Sequence, residues 1–448
     1  MDNDVPPPAS AKLSKGTRRA LIAAMTGTLI EWYDYALYGA AAAVVIGPLF
    51  FEGTETAATL AAFATFAVGF LARPLGGILI GHIGDRVGRK PALLLTIVLM
   101  GVATVGIGLL PTPATLGVLA PVLLVVLRLL QGMGAGAELA GAVTLVAEFA
   151  PSRSRGYLTS LVLATVPAGI VLATGAFLGV SALDDAVLLD WAWRVPFLAS
   201  AVLFGLAVFI RQRLEETPEY VEAQRRAADQ QDTKLPLVEL LRRHRAAVAV
   251  GFFSITGHNA LNYIMATFSL AYMTSSAVGM ERSEALAAVT IGTVFGIIGT
   301  PVGGWAADRF GARRVLLFGS AAGALFAFPL FSALTTGDTV VATVALAIGY
   351  GVVIACTSGA QGAFLADLFP AEQRFSGIAL VREFNGVLVA GTTPLVATAL
   401  IAAFDGATWP AASFLTLCCV SSVAALLVWS RRRPAVAPLT TEATTTER

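Results

Sequence analysis

Apolar runs of about 20 residues, each long enough to cross ~30 Å of hydrocarbon as a helix, recur along this chain between short polar breaks. The pattern predicts helices over 20–46, 57–82, 91–110, 114–139, 157–180, 192–211, 247–274, 285–306, 313–334, 338–365, 375–402 and 408–430. Twelve such segments describe an all-α membrane protein. Composition removes the soluble alternative: with 56% hydrophobic and 13% charged residues, polar groups are too few to cover a water-exposed domain of this size.

Charge changes the picture by fixing orientation. Alternate breaks are basic, holding Lys12, Lys15, Arg18 and Arg19, then Arg86, Arg89 and Lys90, Arg153 and Arg155, the stretch 211–245, Arg309, Arg313 and Arg314, Arg374, and Arg431 to Arg433. The intervening breaks carry Glu52, Glu55, Asp184, Asp185, Asp190, Glu281, Glu284, Asp338 and Asp405, with Arg282 and Arg194 as exceptions. Because Lys and Arg stay inside, both termini and the long middle loop are expected to be cytoplasmic, in a cell (plasma or inner) membrane. The polar, proline-rich start lacks the features of a cleavable signal peptide. Cys356, Cys418 and Cys419 all fall in apolar spans and form neither a disulfide framework nor a metal pair.

The chain repeats itself. "GHIGDRVGRKPALLL" at 81–95 aligns with "GWAADRFGARRVLLF" at 304–318, a shift of 223 positions that places Asp85 on Asp308, Arg86 on Arg309 and Gly88 on Gly311. "AEFAPSRSRG" at 147–156 and "ADLFPAEQRF" at 366–375 align at a shift of 219, Glu148 on Asp367 and Arg155 on Arg374. The reading is a tail (1–19), a six-helix bundle (20–211), a polar linker (212–246), a second six-helix bundle (247–430) and a short tail (431–448). Two pseudo-symmetric halves around a cleft are what an alternating-access carrier requires.

Over essentially its whole length the chain resembles the major facilitator superfamily, on the loop motif "GHIGDRVGRK" and its weaker second copy. "EWYDYALYG", "FLARPLGGILIGHIGDRVGRK", "LRLLQGMGAGAELAGAVTLVAEFAPSRSRG" and "LFPAEQRFSG" together resemble its metabolite:H+ symporter family. "FNGVLVAGTTPLVATAL" at 384–400 is most similar to the proline/glycine betaine branch, as, more weakly, is "NYIMATFSLAYM". Other branches carry 2-oxoglutarate, citrate or shikimate. Arg382 and Glu383 depart from the proline/betaine pattern, which has small or apolar residues there, and the tail shows no heptad of an osmosensing coiled coil. The resemblance implies a functional monomer that uses a proton gradient and no cofactor.

Charges within the bilayer are costly and point to function. Glu31 and Asp34 share a face of the first helix, with Tyr35 and Tyr38 a turn further on; Arg128, Gln131, Ala135 and Glu138 form a stripe on the fourth. Asp34 reads as the proton-binding carboxylate and Arg128 as its switchable partner, against the plainer reading of a permanent ion pair pinning the two helices. Glu31 belongs to coupling or to fixing the first helix. Arg382 and Asn385, three apart, are expected to face the cleft, Arg382 offering a fork to a substrate carboxylate. Arg73, ahead of Pro74, faces a carboxylate of the substrate or pairs with Glu138 or Glu31. His258, Asn259, Asn262 and Tyr263 make the seventh helix polar enough to line water. Trp32, Tyr33, Tyr35 and Tyr38 supply an aromatic box for a quaternary ammonium or pack the helix. Gln131, Tyr35 and Tyr38 complete the substrate candidates. The inner gate is assigned to Asp85, Arg86, Gly88 and Arg89 with Glu148 and Arg155, and to Asp308, Arg309, Asp367 and Arg374.

No nucleophile triad, phosphate-cradling loop or metal-ligand cluster is present, so an enzyme and a nucleotide-driven pump are excluded as readings, and the basic segments are explained by topology without nucleic acid. The chain reads as a proton-coupled importer of a small zwitterion or carboxylate. A proton-coupled exporter on the same fold is the alternative.

Overall fold

The computed structural model describes residues 15–87, 89–136, 142–144, 146–147, 150–213, 242–370 and 373–432. Among these the chain is helical, without strands. Twelve rods are traced: α1 (15–50), α2 (Glu55–Val87), α3 (Arg89–Leu109), α4 (Leu119–Ala135), α5 (Arg155–Ser181), α6 (Arg194–Arg213), α7 (245–274), α8 (Arg282–Phe310), α9 (Ala312–Leu334), α10 (Thr339–Leu368), α11 (Arg374–Ala403) and α12 (Trp409–Arg432). α1, α2, α5 and α8 to α12 are long and apolar enough to cross a membrane, and α6 joins the short Asp185–Ala192 segment across a 44° bend to make a ninth span. α3 and α4 are shorter apolar helices, and α7 is made more polar by His258, Asn259 and Asn262. Their positions nevertheless match the predicted segments.

Lipid-facing and core-facing stripes separate at helical spacing. On α2, Leu71, Leu75, Ile78 and Leu79 are exposed while Phe63, Phe66 and Phe70 are buried; on α8, Ile291, Phe295, Ile298 and Val302 face outward while Gly292, Gly296 and Gly303 turn in. The repeat is visible in local geometry as well: α1 and α7 each contain a π turn at corresponding positions, Ala42–Ile46 and Ile264–Phe268. Such turns often mark functional positions in helices.

The halves meet along α5 and α8, with further contacts of α5 with α10, α2 with α11, and α1 with α7. Small residues allow the α5–α8 approach. A Cβ on Gly304 would stand 2.7 Å from the Gly156 carbonyl oxygen and collide with Ser160.

Both ends of the bundle are bridged between halves. At one end the Asp308 carboxylate accepts from the backbone amides of Gly156 (2.6 Å) and Tyr157 (2.8 Å), the first turn of α5, and Arg155 pairs with Asp367 at 3.2 Å. An acid on free helix-start amides is favoured by the helix dipole. At the other end Arg282 pairs with Asp185 at 2.6 Å and Glu55 accepts from the Ser276 amide at 3.0 Å. The chain is thus held with the space between its halves enclosed.

Candidate functional site

Between the halves lies a small cavity, with room for about one water molecule, lined by Trp32, Tyr35, Ala36, Ile170, Asn262, Tyr263, Ala266 and Thr267. Ligand pockets measure ~300–1,000 Å³, so the cavity is contracted in this conformation and must widen to admit a metabolite. Its wall is aromatic because α1, α2 and α7 each contribute rings at helical spacing. Trp32 and Tyr263 stack with centroids 6.0 Å apart, and Phe70 meets Tyr263 edge-on at 5.5 Å. Among the described residues, the Trp32 indole N–H and the Tyr35 hydroxyl are buried with no hydrogen-bond partner. Buried polar atoms are rarely left so, and both belong to cavity-lining side chains.

Below Tyr35 the first charge assembly begins. Asp34 and Arg128 are both fully buried, yet they do not form the expected direct ion pair. The Thr104 hydroxyl of α3 donates to Asp34 Oδ1, the Gln131 amide donates to Thr104 at 2.9 Å, and Arg128 donates to the Gln131 carbonyl oxygen. Arg128 is compensated differently: its guanidinium lies 3.8 Å from the Tyr38 ring centroid and donates to the Phe66 carbonyl at 3.3 Å. This is a cation held on a π face in a desolvated site. Asp34 Oδ2 has no hydrogen-bond partner among the described residues.

The second assembly contains Arg73. Its guanidinium donates to Glu31 at 2.7 Å and to Glu383 at 3.0 Å, and sits 5.0 Å from the Tyr35 ring centroid. The fold gives Glu383 to Arg73 rather than to its neighbour Arg382, because adjacent residues on a helix point apart. Arg382 donates to Gln361 at 3.3 Å, and Gln361 also meets His258 Nε2 at 3.1 Å, whose Nδ1 is 2.8 Å from Thr357 Oγ1. Among the described residues Arg382 makes no ion pair.

Other expected site residues diverge. Asn385 bonds other groups than Arg382 does: it accepts from Asn259 at 2.6 Å and donates to Phe252 O and Thr256 Oγ1, each at 2.9 Å, which fixes α11 to α7. Asn259 gives its amide N–H to the same contact, whereas Asn262 and Tyr263 reach the cavity. Tyr38 carries Arg128 and bonds Thr65, and Tyr33 bonds the Pro196 carbonyl at 3.0 Å, so of the first-helix aromatics only Trp32 and Tyr35 line the cavity.

At the gate, Asp308 reaches the end of the "SRSRG" segment through the Gly156 amide. Gly88, Glu138 and Glu148, with the side chains of Asp85, Arg86 and Arg89, lie outside the described residues. Arg374 donates to the Ala366 carbonyl at 2.9 Å within its own half, and Arg309 is exposed beside Phe310. Sequence reasoning missed Thr104, Gln361 and Gly69. A Cβ on Gly69 would stand 2.5 Å from Arg128 Nη2, so this glycine makes the room for the guanidinium; a lone glycine within an apolar helix was its only signal.

A family model described as Major Facilitator Superfamily matches residues 24–381 and 259–447. The shikimate transporter of Escherichia coli (strain K12) is 38% identical over 93% of this chain and 95% of its own. The proline/betaine transporter of the same strain is 34% identical over 88% of this chain and 80% of its own. Among solved structures, that of a D-xylose-proton symporter has a TM-score of 0.70 at 21% identity, covering 92% of this chain and 97% of that one.

Proposed function

This chain belongs to the major facilitator superfamily, and we propose that it is a proton-coupled symporter that imports a small carboxylate-bearing metabolite by alternating access. The observation that carries the substrate class is Arg382, a guanidinium within the bundle whose recorded hydrogen bond is to a neutral amide and which makes no ion pair among the described residues. A carboxylate arriving from the cavity supplies the missing partner bidentately. Higher identity to the shikimate transporter than to the proline/betaine transporter supports the same direction. The cavity rings then face the apolar part of the substrate, with the Trp32 N–H and Tyr35 hydroxyl free to bond its oxygens.

Asp34 is the proton carrier in this reading. Its unbonded oxygen is buried, and its link to Arg128 runs through Thr104 and Gln131, so a rotation of either side chain changes what the carboxylate senses. Repacking into direct contact with Arg128 favours the ionised form; separation favours the protonated one. The halves 20–211 and 247–430 rock about the cleft. Asp308 with Arg155 and Asp367 closes the cytoplasmic side, and Arg282 with Asp185 closes the opposite one. Both termini and the 212–246 connection are cytoplasmic, in keeping with the Lys and Arg distribution, and the monomer is the working unit.

The test is uptake into proteoliposomes of labelled shikimate and 2-oxoglutarate against proline and betaine, with and without an inward proton gradient. Gradient-driven accumulation of a carboxylate is expected. Accumulation of proline or betaine alone overturns the substrate class, and efflux driven by the same gradient overturns import.

A further inference from the structure

Among the described residues three ion pairs join the two halves, and one is buried. The carboxylates of Arg155–Asp367 and Arg282–Asp185 are 50% and 77% exposed, whereas the Arg73 and Glu383 side chains are 10% and 11% exposed. The Arg73 guanidinium of this buried pair lies 5.0 Å from the ring centroid of the cavity-lining Tyr35. Glu31, which shares Arg73, precedes the cavity residues Trp32 and Tyr35 on α1, and Glu383 lies in the first third of α11. Both therefore sit between the cavity and the end that Asp308 closes.

The two partners are not equally dependent on each other. If α2 and α11 move apart, Arg73 keeps Glu31 at 2.7 Å. Glu383 is left without a bonded cation, since its neighbour Arg382 is directed to Gln361. The penalty of an unpaired buried charge thus falls on Glu383.

We propose that Glu383 is a proton-operated latch beneath the cavity. Ionised, it holds α11 to α2 and keeps the inner side shut; when a proton from the outer solution neutralises the carboxylate, the latch releases, and the proton leaves to the cytoplasm once the side is open. The step is a protonation only. The charged groups facing it are Arg73 from α2 and Arg382 on its own helix, with Glu31 of α1 reached through Arg73; His258 of α7 is bonded instead to Thr357 and Gln361. The proposal rests on the alternating-access reading and adds a second protonated residue to Asp34.

The latch is tested without substrate. Thr159 is a fully buried α5 residue packed against Gly362 of α10 across the halves, so Thr159→Cys, in a chain with Cys356, Cys418 and Cys419 replaced by alanine, reports inner opening. Labelling by a membrane-impermeant maleimide is followed in inside-out vesicles and normalised to Arg153→Cys, an exposed position at the same end. With Glu383 intact, normalised labelling is expected to rise roughly tenfold from alkaline to acid, a modest population shift. Glu383→Gln is expected to label fast throughout and Glu383→Asp to restore the pH dependence. A flat profile with Glu383 intact overturns the latch even if Glu383→Gln fails to fold. So does a profile that survives Glu383→Gln. Should no substrate be transported while labelling behaves as expected, the transport reading falls and the latch stands.

Discussion

The Arg128 guanidinium rests on the face of Tyr38, 3.8 Å from the ring centroid, while the nearest carboxylate in its assembly, Asp34, is reached only through Gln131 and Thr104. A buried cation is therefore stabilised without committing the acid. Asp34 is left with one oxygen unbonded, and an acid that is not locked in an ion pair can exchange its proton during the cycle.

Asp34→Asn should abolish proton-gradient-driven accumulation and leave gradient-independent exchange of labelled for unlabelled substrate. The amide keeps the Thr104 contact and cannot titrate. Counterflow and accumulation measured on the same proteoliposomes check this, and an Asn variant that still concentrates substrate defeats the assignment.

Gly69→Ala should displace Arg128, since the added Cβ would lie 2.5 Å from Nη2 and 2.9 Å from Cζ. Overpacking of this kind costs about 1–3 kcal/mol. Transport is expected to fall sharply with the thermal unfolding midpoint lowered, whereas Gly175→Ala on α5, which meets nothing within 4 Å, should be neutral. Equal behaviour of the two variants would remove Gly69 from the site.

Asn385→Ala and Arg382→Ala should separate stability from binding. Removing Asn385 strands Asn259 and Thr256 and unpins α7 from α11, a cost of about 1–3 kcal/mol for buried groups left unbonded; the melting temperature falls while KM changes little. Removing Arg382 breaks one bond to Gln361 and should raise KM for a carboxylate substrate at nearly unchanged melting temperature. The reverse pattern would exchange their roles.

Asp308→Asn should loosen the cytoplasmic closure. It weakens a charged bond to two helix-start amides, 2.6 and 2.8 Å away, and loss of an N-terminal acceptor contact costs about 0.5–2 kcal/mol. The Thr159→Cys labelling rate in inside-out vesicles should rise several-fold, and no change would show that the α5–α8 contact closes that end without it.

The span pattern, the two-half repeat and the carrier class were legible because each depends on properties that add up along the chain. Lipid-facing length follows from consecutive apolar residues, and the repeat from motifs that recur whole. The site was legible in part. Asp34, Arg128, Glu31, Arg73 and Arg382 stood out because a charge in an apolar helix is conspicuous whatever it touches. Thr104 and Gln361 were not, since a lone hydroxyl or amide is unremarkable until a partner from another helix arrives.

What the sequence by itself determined is which residues are buried at a cost: the acids and arginines within apolar helices, and the glycines that permit close approach. Which of them pair was decided by the tertiary structure. Arg73 takes Glu31 from α1 and Glu383 from α11, Arg128 takes the Tyr38 ring, and Arg382 is left to Gln361. Helical periodicity relates residues on one helix, whereas an ion pair requires groups within about 4 Å, a distance set by how separate helices pack and rotate against one another.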